Sequence, residues 1–116
     1  MATFQLHSTK LKTVDTKIAT LYQKYRDAIK GLDSGVEEVS LQNYIAFRKS
    51  KNFIAIEIQE RSIKMTLNIK LGQIIDDKKL TKDVSQVKHH GNGDYQVKVS
   101  DSKNFEYILS LIKQAL

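Results

Sequence analysis

The chain contains no cysteine and no proline, and only five of its 116 residues are glycine. Without cysteine, disulfides and thiolate metal sites are excluded, and a cytoplasmic location is the expectation. Without proline, and with so little glycine, nothing in the chain reads as a flexible linker or low-complexity tail. No apolar run approaches the ~18–20 residues that span a bilayer. The opening MATFQLHSTK lacks the apolar stretch of a secretory signal, so no leader and no membrane partner are expected.

What is present is ordinary for a globular domain: 41% hydrophobic and 28% charged residues, in a length that suits one domain. Residues 1–12 show no period and read as an arm, with 13–116 as the folded core. The formal charge is +6, which attracts phosphate backbones and anionic surfaces. Lysine-rich faces also serve solubility alone.

Alternation is clearest between Asn52 and Lys70, which reads as two strands about the polar turn Gln59-Glu60-Arg61. Ile63, Met65, Leu67 and Ile69 alternate with Lys64, Thr66, Asn68 and Lys70, so one face is buried and the other wet. In the preceding strand Ile54, Ile56 and Ile58 share one side, with Phe53, Ala55 and Glu57 on the other. Upstream, Ile18, Leu21, Tyr22, Tyr25 and Ile29 recur at helical spacing, with Thr13 placed to cap the helix and Gly31 to end it. Val36 to Leu41 reads as a strand with Val39 and Leu41 inward, and Tyr44 to Arg48 as another. Leu71 to Leu80 reads as a loop with one helical turn.

Val84 to Ser100 reads as a hairpin. A two-residue Asn92-Gly93 turn would place Lys88 beside the inward residues Tyr95, Val97 and Val99. A three-residue Gly91-Asn92-Gly93 loop instead sets Val87 opposite Val97 and His89 opposite Tyr95, with Gly93 at positive φ and Gly91 at negative φ. That register is preferred, and it places His89 at the core. Asp101 or Ser102 caps a last helix with Phe105, Ile108, Leu109, Ile112 and Leu116 on one side. The expected architecture is α+β: an antiparallel sheet of about five to six strands, with an N-terminal and a C-terminal amphipathic helix on one face.

Two stretches resemble the signatures of a known family. Tyr44-Ile45-Ala46-Phe47-Arg48 with Lys51-Asn52-Phe53 is similar to the first. Asp83-Val84-Ser85 followed by His89-His90-Gly91-Asn92-Gly93-Asp94 is similar to the second, and Tyr107 to Ala115 resembles the family's closing helix. The family is an uncharacterised bacterial and archaeal domain, once labelled a predicted transport protein and often C-terminal to nuclease-like modules. Lys88 stands where the family usually has glycine, and His90 where it usually has a large aromatic. The resemblance implies the α+β fold and brings no established chemistry with it.

The candidate sites lie on the polar sheet face and at the hairpin tip. Tyr44, Arg48, Phe53, Lys64, Lys70 and Lys98 all project away from the helices by alternation, with Thr66, Asn68, Gln96 and Glu57. Basic residues interleaved with two aromatics have the composition of a single-strand stacking platform. At the tip, His90 opposite Asp94 could form an acid–base pair, while His89 is expected to be satisfied in the core. Adjacent histidines on a strand point to opposite faces, so no metal and no cofactor is expected. Lys10, Lys12, Lys17, Lys24 and Lys30 form a second, aromatic-free basic stripe on the first helix. The reading is a non-catalytic accessory domain that binds nucleic acid, with a protein-interaction or self-association module as the alternative.

Overall fold

A computed structural model describes residues 15–116. The expected arm, the Thr13 cap, and Lys10 and Lys12 lie outside the described residues. The elements run α1 (Thr16–Lys30), β1 (Glu37–Ser40), β2 (Ile45–Lys49), β3 (Lys51–Ile58), β4 (Ile63–Leu67), β5 (Lys82–Asp83), β6 (Tyr95–Val99) and α2 (Phe105–Ala115). The strands form one antiparallel sheet in the order β1-β2-β3-β4-β6-β5. The architecture is α+β. Among the described residues no helix is long and apolar enough to cross a membrane.

Alternation decides which face carries the core. Ile45 and Phe47 of β2, Ile54, Ile56 and Ile58 of β3, Ile63, Met65 and Leu67 of β4, and Tyr95, Val97 and Val99 of β6 form one buried cluster. Ile18, Leu21, Tyr22, Tyr25 and Ile29 of α1 and Ile108, Leu111, Ile112 and Ala115 of α2 close it from above. The α1 stripe is the one its spacing predicts. Its cap is Asp15, whose carboxylate accepts from the Lys17 amide at 2.8 Å, and Gly31 ends it. In α2 the buried face is turned toward Leu111 and Ala115, so Leu116 is exposed. Asn104, rather than Asp101 or Ser102, occupies the position before the helix.

Two expectations fail on burial and a third on strand length. The register between β2 and β3 shifts at Phe47 and Arg48: Phe47 faces Ile54, Arg48 faces Asn52, and Phe53 is the extra residue. Such a bulge sends two successive side chains into the same core. Phe53 is therefore 1% exposed and belongs to the helix-side cluster, not to the polar face. In β1 the inward residues are not Val39 and Leu41. Val36 is buried just ahead of the strand, and Glu38 sits opposite Phe47. Thirdly, β4 stops at Leu67, so Lys70 lies in the following turn and not on a strand.

Glu38 is accommodated beneath α1 because both carboxylate oxygens are paired. The Tyr22 hydroxyl donates to one and the Arg26 guanidinium to the other, each at 2.7 Å. Burial and this carboxylate push the Tyr22 phenol well above its ordinary range. The neighbouring Tyr25 is also fully buried, but its hydroxyl has no hydrogen-bond partner among the described residues. Burial, with a smaller contribution from the Asp101 carboxylate, pushes Tyr25 up to about 12. Residues 71–81 contain turns but no helical turn, and α2 holds them from one side. Gln114 pairs with both the amide and the carbonyl of Ile75 at 2.8 Å. Asp76 accepts from Thr81 and from the Tyr107 hydroxyl, and these bonds hold its carboxyl below the usual range although burial opposes them.

The two tyrosines should respond differently to loss of their hydroxyls. Tyr22→Phe strands an oxygen of Glu38 and should cost about 1–2 kcal/mol. Tyr25→Phe removes an unpartnered polar atom and should leave stability at neutral pH unchanged or raised. The pH dependence has a definite sign. A phenol that ionises near pH 10 when unfolded and near 12 when folded contributes stability that is lost as pH rises through that window. Denaturant melts at stepped pH should show Tyr25→Phe losing less than the parent between pH 10 and 12.

Candidate functional site

The sheet's second face is not an open platform. Its central row runs Val39, Ala46, Ala55, Thr66, Gln96 and Lys82 across all six strands. Ala46, Ala55 and Thr66 are buried, though none belongs to the helix-side core. Their cover is the segment 84–93. This segment leaves the sheet after β5, crosses the second face, and returns at Tyr95 as β6.

The expected hairpin register is thereby overturned. Strand pairing spans only Lys82 with Gln96 and Asp83 with Tyr95, so neither Val87 with Val97 nor His89 with Tyr95 is a pair. Gly93 has φ of 114°, as expected, but Gly91 is also positive at 83°. A β-carbon at Gly91 would lie 2.4 Å from the Ala55 β-carbon, and one at Gly93 would lie 1.9 Å from the Leu67 carbonyl oxygen. Only glycine backbone can approach this closely in this conformation. Alanine at positions 46 and 55 supplies the shallow floor.

The histidines stabilise the segment from within. His89 is not a core residue. Its Nδ1 lies 2.6 Å from the Val87 carbonyl oxygen and its Nε2 2.8 Å from that of Gly93. A ring carrying protons on both nitrogens can donate to both. His90 meets Glu57 rather than Asp94, with Nδ1 3.3 Å from the carboxylate. Its ring stacks on Tyr44, centroids 5.7 Å apart and planes 24° apart, so this position suits a flat ring. Asp94 instead accepts from the Leu71 amide at 2.8 Å and tethers the next loop.

Between the segment and the sheet lies a cleft of about 460 Å³, bordered by Glu57, Lys64, Lys82, Val84, Val87, Lys88, His89, His90 and Gln96. Register places Glu57 beside Lys64 and Lys64 beside Lys98. Among the described residues none of Lys64, Lys82, Lys88 and Lys98 forms an ion pair with a carboxylate. A histidine backed by a carboxylate can exchange a proton. Among the described residues, no serine, threonine or cysteine borders the cleft to act as a nucleophile, and no group of three or more His, Asp or Glu converges to hold a metal. The arrangement is suited to holding an anion.

Of the residues expected on this face, Lys64 and His90 border the cleft and Lys98 adjoins it through Lys64. Tyr44 joins through its stack on His90. Arg48 is exposed on a different row, opposite Glu37, and Lys70 is exposed in a turn. Phe53 is excluded by burial. Sequence reasoning missed Lys82, Val84 and Val87 as site residues. The signal that could have found them is the pair Gly91 and Gly93 above two strand alanines, which marks a close backbone approach.

A family model described as a domain of unknown function (DUF5655) matches residues 8–116. An uncharacterised protein of Haemophilus influenzae is 40% identical over 99 residues, covering 85% of this chain and 33% of the relative. The chain thus corresponds to about a third of that longer protein. No solved structure matches.

The glycine geometry can be tested directly. Gly93→Ala should destabilise by more than about 2 kcal/mol, and Gly91→Ala by about 1–3 kcal/mol, since each combines positive φ with a steric clash. Asn92 is exposed and has negative φ, so Asn92→Ala should stay within about 0.5 kcal/mol. Thermal and denaturant melts of the three variants give the order. A silent Gly91→Ala would contradict the contact with Ala55.

Proposed function

The chain belongs to the DUF5655 family of domains of unknown function, and we propose that its cleft is a seat for the phosphate backbone of a nucleic acid. One observation carries this reading. Lys64 and Lys98 stand directly opposite one another on β4 and β6, Lys64, Lys82 and Lys88 border the cleft, and among the described residues no carboxylate is paired to any of the four. Like charges facing each other across strands are destabilising. A bound polyanion removes that repulsion and releases counterions as it does so. Among the described residues Glu57 is the one carboxylate bordering the cleft, beside Lys64 and within 3.3 Å of His90, and leaves the lysines in excess.

The face differs from a flat stacking platform. Phe53 contributes nothing, Tyr44 is already covered on one side by His90, and the loop divides the surface. Phosphate contacts therefore supply the affinity in this reading, and the domain is a binding accessory within longer proteins such as the Haemophilus relative.

Binding to single- and double-stranded oligonucleotides across a salt series tests it. Affinity should fall steeply with salt, and Lys64→Glu combined with Lys98→Glu should abolish it. Because the double variant lines up carboxylates at 57, 64 and 98, circular dichroism checks its fold. Lys64→Gln with Lys98→Gln, which adds no negative charge, should weaken binding and lower its salt dependence. Absence of binding at low salt would overturn the reading.

A further inference from the structure

Resting on that reading, we propose that the cleft accepts one unstacked nucleotide rather than backbone alone, and so favours single strands. The cleft is not lined by charge only. Val84 is buried and Val87 is 51% exposed, and both border the same volume as the lysines. An exposed valine above a cationic groove is unexplained by phosphate binding, which needs no apolar surface. A base does need one.

The dimensions agree. About 460 Å³ falls within the ~300–1,000 Å³ typical of small-molecule sites and is ample for one nucleoside monophosphate. Polar groups are placed at the border of the same volume. The Gln96 amide nitrogen donates to Thr66 at 3.1 Å, which turns its carbonyl oxygen to other donors. Glu57 uses one oxygen on His90 and keeps the other. These acceptors can meet the amino and imino groups on a base edge, while Lys64, Lys82 and Lys88 meet the phosphate. A base held inside a duplex cannot offer its face and its edge to such a site.

Titration of the labelled protein with adenosine 5′-monophosphate, guanosine 5′-monophosphate, ribose 5-phosphate and inorganic phosphate, followed by amide chemical shifts, tests the proposal. A nucleoside monophosphate should shift the amides of Val84, Val87 and His90 saturably. It should bind at least about tenfold more tightly than ribose 5-phosphate. Val87→Ser, which removes apolar surface at an exposed position without adding charge, should bring the nucleotide-to-ribose-5-phosphate preference close to one and reduce the preference for single strands. Equal affinity for nucleotide and ribose 5-phosphate, with oligonucleotides still bound, would overturn the nucleotide site and leave the phosphate-backbone reading standing. Failure of every oligonucleotide at low salt would overturn both.

Discussion

The close approach of the Gly91–Gly93 backbone to the sheet is the constraint on which the second face depends. At 2.4 Å from the Ala55 methyl, the space a β-carbon would need at Gly91 is already taken. The contact fixes small residues on both sides at once: glycine in the loop, and alanine at position 55. With the backbone held there, His90 reaches Glu57 and Tyr44, the His89 ring lies between the Val87 and Gly93 carbonyl oxygens, and a cleft remains beside the contact. Larger residues at the floor would lift the segment and dissolve the cleft. The helix-side core, by contrast, is a conventional amphipathic packing that does not depend on it.

Strand pairing, independently of that contact, sorts the charge. A surplus of +6 spread over a small surface would be unremarkable. Here part of it is concentrated, because β4 and β6 bring Lys64 against Lys98 and the short β5 delivers Lys82 to the same rim. Two cations outside the cleft are paired, Arg26 with Glu38 and Lys49 with Asp33, both at distances of direct hydrogen bonds, while most other described lysines form no ion pair, like those of the cleft. What distinguishes the cleft is the crowding of its lysines on one cross-strand pair and one rim, not their lack of carboxylate partners. The functional reading rests on this crowding.

The fold was largely legible because period-two alternation in Asn52–Lys70 and helical spacing in Ile18–Ile29 are strong, local signals of which side is buried. The site was legible only in part. Lys64, Lys98 and His90 follow from alternation and from the tip motif, but their partners do not. The Phe53 error came from a bulge, which breaks alternation by one residue without any glycine or proline to announce it. The His89 error came from assigning a ten-residue excursion to a tight hairpin, since Val84 and Val87 look like strand residues. What overrode the local pattern was tertiary: two alanines on a face expected to be wet offer a place for backbone to dock. Asp94 was misassigned for the same reason, as its partner Leu71 lies 23 residues away.

The cleft exists only if segment 84–93 lies on the second face in solution. Nuclear Overhauser contacts between the Gly91 α-protons and the Ala55 methyl group report on this most directly. Docking predicts a strong contact there, with a weaker one from Gly91 to the Thr66 methyl. Contacts linking Val87 to Val97 and His89 to Tyr95, with none from Gly91 to Ala55, would show an extended hairpin and contradict the cleft.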